Sequence, residues 1–235
     1  MSIKRHIPNT VTALNLLTGI IGILTVAGGN YRSGLYFILI AAVFDFLDGF
    51  LARILGVHSE IGKQLDSLAD MVTFGVLPAL ILQQFLAASW PEGGYWTYIP
   101  FLIGIFSAFR LAKFNIDTRQ SDQFIGLPTP ANALFMASWP FLVAASPETL
   151  AEVLGHPFLL IGIALLFSYL LVAEIPLIAL KFKDFGWRQN AFRYAIIALS
   201  IPALLIGQAA GFPFIILSYI GLSVAANLRH ERKQG

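Results

Sequence analysis

Asp45-Phe46-Leu47-Asp48-Gly49-Phe50-Leu51-Ala52-Arg53, continued by Gly62, Asp66 and Asp70, sets four carboxylates inside a 26-residue segment whose flanks are strongly apolar. Each acid at membrane depth costs roughly 2.5–3.5 kcal/mol on insertion scales. Asp45 and Asp48 are three residues apart, and Asp66 and Asp70 are four apart. Both spacings place the side chains on one face of a helix. A short turn around Gly56 to Ser59 makes the two helices antiparallel neighbours, so the four acids converge at similar depth. Four mutually repelling carboxylates need a cation.

The rest of the chain sets this cluster in a membrane. Of 235 residues, 57% are hydrophobic and only 12% charged, a balance that would leave a soluble core too little polar surface. Eight apolar stretches approach the ~20 residues that a helix needs to cross a hydrocarbon layer. They run from Thr12 to Ala27, Ser33 to Ile54, Leu65 to Ser89, Tyr95 to Phe114, Pro130 to Ala145, Phe158 to Leu180, Phe192 to Gly207 and Phe212 to Leu228. All are expected to be helical, because lipid-exposed backbone must satisfy its own hydrogen bonds. The expected architecture is an all-α polytopic membrane protein of about eight transmembrane helices, organised as one domain over residues 1–235. No connecting segment is long enough to be a second domain, and no internal repeat is visible.

Placement of the cations predicts orientation. With the N-terminus in the cytoplasm, that side receives Lys4, Arg5, Arg53, Lys63, Arg110, Lys113, Arg119, Lys181, Lys183, Arg188, Arg193, Arg229, Arg232 and Lys233, and the opposite side keeps only Arg32. This imbalance predicts N-in, C-in topology and an even number of crossings. Trp90, Tyr95, Trp96 and Tyr98 mark the outer interface, and Phe185 and Trp187 the inner one. Lys4 and Arg5 before an apolar run also fit a signal peptide, but cleavage near Gly28-Gly29 would leave an odd helix count.

The acid cluster offers only oxygen ligands. The chain has no cysteine, and His6, His58, His156 and His230 are scattered. Such a set favours hard divalent ions, Mg²⁺ or Mn²⁺, over zinc, and four carboxylates can bridge two of them. The residues between the acids suit a phosphate ligand. Gly49 and Gly62 allow close approach, Ala52 keeps the face small, and Arg53 supplies a phosphate-matched cation. A cation transporter would also place acids in helices, but no inverted repeat or paired broken helix accompanies these.

The segment matches every position of D-x-x-D-G-x-x-A-R-x8-G-x3-D-x3-D, and it thereby resembles the CDP-alcohol phosphotransferase family. The resemblance implies that Asp45, Asp48 and Asp66 bind two divalent metals. It also implies that Asp70 binds one metal and acts as general base on an acceptor hydroxyl. Asn9 and Thr12, at the start of the first helix, read equally as caps and, by resemblance, as contacts to the CDP-lipid together with Gly49, Ala52, Arg53, Ser59 and Gly62. Asn15, one turn deeper, reads as a bond to a neighbouring helix.

A second resemblance concerns the acceptor. Arg110-Leu111-Ala112-Lys113-Phe114-Asn115 with Gly126-Leu127-Pro128-Thr129-Pro130, and Leu65 to Pro78, look like the bacterial phosphatidylserine synthases of this superfamily. That implies transfer from CDP-diacylglycerol to L-serine with release of CMP, at a site facing the cytoplasm from the inner cell membrane, in a homodimer. Arg110, Lys113, Asn115 and Thr129 are the implied acceptor contacts, and a carboxylate acceptor needs such a cation. Glycerol 3-phosphate, inositol phosphate or another alcohol is the alternative acceptor. Glu174, expected inside the sixth helix, is an intramembrane acid outside the shared signature. Nothing suggests a nucleic-acid partner.

Overall fold

The computed structural model describes residues 6–57, 59–117, 123–178 and 186–231. Ten α-helices carry these segments: α1 (His6–Ala27), α2 (Gly34–Leu55), α3 (Glu60–Asp70), α4 (Leu77–Ser89), α5 (Phe101–Ile116), α6 (Thr129–Ala145), α7 (Glu148–Leu154), α8 (Pro157–Val172), α9 (Trp187–Gly207) and α10 (Phe212–Glu231). Five helical segments are long and apolar enough to cross a membrane, or six if the bent pair α7 and α8, which meet at 51°, counts as one. The chain is thus mostly helical and multi-pass.

The mapping of expected spans onto helices is not one to one. The expected crossing from Pro130 to Ala145 is α6, whose 17 residues are at the short end of spanning length. The last two expected spans are α9 and α10, joined by a tight turn at Gln208–Gly211. The expected sixth span ends early: α8 stops at Val172, and Pro176–Ile178 forms a strand, β2, instead of continuing to Leu180. Pro176 explains the break, since it has no N–H to donate and disfavours helical backbone at the residue before it. β2 pairs antiparallel with β1 (Gln123–Ile125), matching Gln123 to Ile178 and Ile125 to Pro176. Among the described residues this two-stranded ribbon is the exception to the expected all-helical chain. Lys4, Arg5, His58, Arg119, Lys181, Lys183, Phe185, Arg232 and Lys233 lie outside the described residues, as do the side chains of Trp187, Arg188, Arg229 and His230.

Two apolar clusters organise the helices. One holds Leu35, Ile38 and Ala41 of α2, Leu77 and Ile81 of α4, and Ala133 and Ala137 of α6, around Phe74. The other gathers Leu82 and Phe85 of α4, Ile103 of α5, Phe135 and Trp139 of α6, Phe167 of α8 and Tyr219 of α10. Large apolar side chains also face outward, among them Leu24, Phe46, Leu68, Tyr169 and Ile206. On a soluble protein so many would be an aggregation hazard, whereas lipid solvates them.

Local chemistry sets the turn between α2 and α3. Gly56 ends α2 in the left-handed region (φ 61°), with its N–H on Arg53 O and the Val57 N–H on Ala52 O. This is a Schellman closure, and glycine takes that conformation without a Cβ penalty. Ser59 then caps α3, its Oγ accepting from Gly62 N at 2.9 Å. Directly after Asp70 the helix widens into a π-helical turn, Met71–Val76, before resuming as α4.

Candidate active site

The closure at Gly56 and the Ser59 cap fold α3 back beside α2. Ligand oxygens of Asp45, Asp48 and Asp66 consequently lie within 4.8 Å of one another. Asp70 is one turn further along α3, outside that group but near enough for its charge to interact with those of Asp45 and Asp66. Helix α1 crosses this cluster and supplies its hydrogen bonds. Thr12 Oγ1 donates to Asp48 Oδ2 at 2.7 Å, and Asn15 Nδ2 donates to Asp70 Oδ1 at 3.3 Å. The Thr73 hydroxyl, in the π-helical turn, lies 2.9 Å from Asn15 Oδ1 and 2.6 Å from Ala69 O, two acceptors that share its one proton. A carboxylate only accepts, so Asp70 itself requires the NH2 end of the Asn15 amide.

Asp66 Oδ1 is buried and has no hydrogen-bond partner among the described residues. A buried carboxylate oxygen in that condition is costly unless a cation satisfies it. The all-oxygen set of Asp45, Asp48 and Asp66 therefore fits a hard divalent ion.

Beside the acids opens a cavity of about 450 Å³. Asp48 and Asp66 stand on its wall with Asn9, Thr12, Gly49, Ala52, Ser59 and Gly62, so the structure brings together six of the seven expected CDP-lipid contacts. A Cβ on Gly49 would meet no protein atom within 4 Å, whereas one on Gly62 would come within 2.8 Å of Ser59 Oγ. Gly49 therefore leaves space to the cavity, and Gly62 makes room for the cap. Arg53 is not on the wall; its Nε donates to Gly49 O at 3.0 Å along its own helix. The cation that lines the cavity is Lys63, whose Nζ reaches Asn115 O at 2.7 Å. Among the sequence signals, Lys63 read only as an orienting charge, although its position next to Gly62 in the first turn of α3 pointed to the same wall.

The expected acceptor contacts divide. Arg110 is buried, its Nη1 donates to Thr129 Oγ1 at 3.3 Å, its guanidinium lies over the Phe114 ring, and its charge interacts with that of Asp70. Lys113 instead forms an ion pair with Glu174 at 3.6 Å. Asn115 donates to Ser67 Oγ at 2.8 Å and so ties α5 to α3. Glu174 is not inside a helix, as expected from the sequence, but in the segment between α8 and β2. The Pro176 break that ends α8 put it there.

A family model described as CDP-alcohol phosphatidyltransferase matches residues 5–177, a stretch that contains all four acids and both acceptor motifs. The chain belongs to this family. Relatives include a Helicobacter pylori protein, 30% identical over 203 residues that cover 83% of this chain and 80% of the relative. A Bacillus subtilis protein is 35% identical over 125 residues, covering 53% of this chain and 70% of the relative. A Mycobacterium tuberculosis protein is 35% identical over 137 residues, covering 55% of this chain but 47% of the relative's length. All three carry the name CDP-diacylglycerol–serine O-phosphatidyltransferase. Membership of the CDP-alcohol phosphatidyltransferase family gives the acid cluster and its adjoining cavity a chemical context.

Proposed function

We propose that the chain transfers the phosphatidyl group of CDP-diacylglycerol to the hydroxyl of L-serine, forming phosphatidylserine and releasing CMP. The observation that carries this reading is the convergence of Asp45, Asp48 and Asp66, with Asp70 one turn beyond, beside a cavity of about 450 Å³ whose wall includes Asp48 and Asp66. The names of the relatives support serine as the acceptor.

Asp45, Asp48, Asp66 and Asp70 would hold two divalent ions, Mg²⁺ or Mn²⁺. When bound, such ions neutralise the donor diphosphate and the charge that develops on departing CMP. The residues of the chain do the remainder. Asn9, Thr12, Gly49, Ala52, Ser59 and Gly62 shape the CDP pocket, and Lys63 and Arg53 add positive charge at its edge. Asp70 takes the proton of the serine hydroxyl. The hydrogen bond from Asn15 to Asp70 Oδ1 holds the carboxylate in place for this step. The serine oxygen then bonds to phosphorus as the bond from phosphorus to the CMP oxygen breaks. An aspartate is a modest base, so positioning of the two substrates supplies much of the rate. Arg110, beside Thr129, binds the serine carboxylate.

The same reading places the single domain of residues 1–235 in the inner cell membrane with eight crossings, both termini and the site facing the cytoplasm, as a homodimer. The Lys and Arg distribution supports the orientation, and the turn between α9 and α10 supports counting them as two crossings. The test is CMP release by purified protein from CDP-diacylglycerol with serine, glycerol 3-phosphate, inositol phosphate and ethanolamine supplied in turn, with and without chelator. Serine- and metal-dependent release is the expected result. Release that is indifferent to either overturns the reading.

A further inference from the structure

Apart from Asp66 Oδ1, the buried side-chain atoms without a hydrogen-bond partner among the described residues are Ser107 Oγ, Arg110 Nε and both amide atoms of Asn132. Ser107 and Arg110 are three residues apart on α5, and Thr129 and Asn132 are three apart on α6, so each pair shares a helix face. The bond from Arg110 Nη1 to Thr129 Oγ1 links the two helices at this point. Ser107 and Asn132 are fully buried, and Arg110 is 7% exposed. Apolar residues would be better tolerated there, as neighbouring Ala133, Phe135 and Met136 of α6 demonstrate. Buried polar atoms in natural proteins find partners, and orphans on the two faces that this bond links call for a polar ligand. Helix α6 adds to this, because it starts at this patch with no side-chain cap, so the positive end of its dipole is directed there.

We propose that Ser107, Arg110, Thr129 and Asn132 form a subsite that reads the α-ammonium and α-carboxylate of the acceptor, with Asn132 the residue that requires both groups. This rests on the serine reading above. A carboxamide has a donor end and an acceptor end. Asn132 Nδ2 donates to the carboxylate and Oδ1 accepts from the ammonium, while Arg110 Nε and the start of α6 supply the positive charge that the carboxylate needs. Ethanolamine lacks the carboxylate and leaves Nδ2 and Nε unpaired. 3-Hydroxypropionate lacks the ammonium and leaves Oδ1 unpaired. A site built to pair these groups rejects ligands that lack them.

The experiment is CMP release from CDP-diacylglycerol by the full-length protein in mixed micelles, with serine, ethanolamine and 3-hydroxypropionate as acceptors. Asn132→Leu is expected to raise the KM for serine by about 10- to 100-fold with the KM for CDP-diacylglycerol unchanged, and to reduce the preference for serine over 3-hydroxypropionate. A normal serine KM, or an equal rise in both KM values, would overturn the subsite. Should Asn132→Leu fail to fold, Ser107→Ala decides the matter under the same criteria. Failure of the serine reading is seen separately, in the wild type: an enzyme that prefers an acceptor without an amino acid group removes both claims.

Discussion

Asn15 Nδ2 and Asp70 Oδ1, on helices α1 and α3, are joined by a 3.3 Å hydrogen bond, with the Thr73 hydroxyl 2.9 Å from Asn15 Oδ1 behind it. The pair links the first helix to the residue assigned as base. Replacing Asn15 by Leu frees Asp70 to rotate. We expect kcat to fall about 10- to 100-fold with the KM for CDP-diacylglycerol little changed. A variant with lowered thermal stability but normal kcat would reduce Asn15 to a packing residue.

Thr12 has the corresponding relationship to Asp48, at 2.7 Å. Thr12→Val keeps the shape and removes the donor. The divalent-ion concentration for half-maximal activity is then expected to rise about tenfold, because groups that orient ligands tune metal affinity. Titration of activity with Mg²⁺ and Mn²⁺ measures this directly, and an unchanged midpoint would refute it.

Asp66→Asn should act in opposite directions on stability and on activity. In metal-free protein it removes one of three carboxylates held within 4.8 Å, so repulsion falls and thermal stability rises. With the divalent ion present the wild type gains stability through binding, and the variant loses that gain together with its transfer activity. Thermal unfolding with and without chelator separates these effects. A variant stabilised by metal as strongly as the wild type would exclude Asp66 from the ligands.

Gly49→Ala tests the cavity. No protein atom lies within 4 Å of the added methyl group, and alanine is favoured over glycine in a helix by up to about 1 kcal/mol. The variant should therefore be at least as stable as the wild type yet bind CDP-diacylglycerol more weakly, read as a raised KM. An unaltered KM would move the nucleotide away from α2.

The absence of cysteine makes orientation directly measurable. Single cysteines at Glu92 and Glu148 are expected to react with a membrane-impermeant maleimide in intact cells, and one at Gly186 only after lysis. The reverse labelling would invert the assigned topology, and labelling of all three in intact cells would change the number of crossings.

The sequence by itself determined the membrane class and the acid cluster. Both rest on strong, local signals: long apolar runs, and eight specified residues at fixed spacing, with the acids of each pair on one helix face. The turn at Gly56 was legible for the same reason, since its chemistry is confined to a few consecutive residues. What lay beyond sequence depended on contacts between distant elements. Only the tertiary structure put Thr12 and Asn15 on Asp48 and Asp70, because the crossing of α1 over the acids is not encoded in any spacing within α1. It also separated Arg110 from Lys113, which are neighbours on one helix yet meet different partners in Thr129 and Glu174. The end of α8 followed from Pro176, but its consequence for Glu174 appeared only when β1 and β2 paired across a long separation in the chain. Residue type and spacing decide which side chains share a helix face, and the packing of that helix against others decides what the face meets.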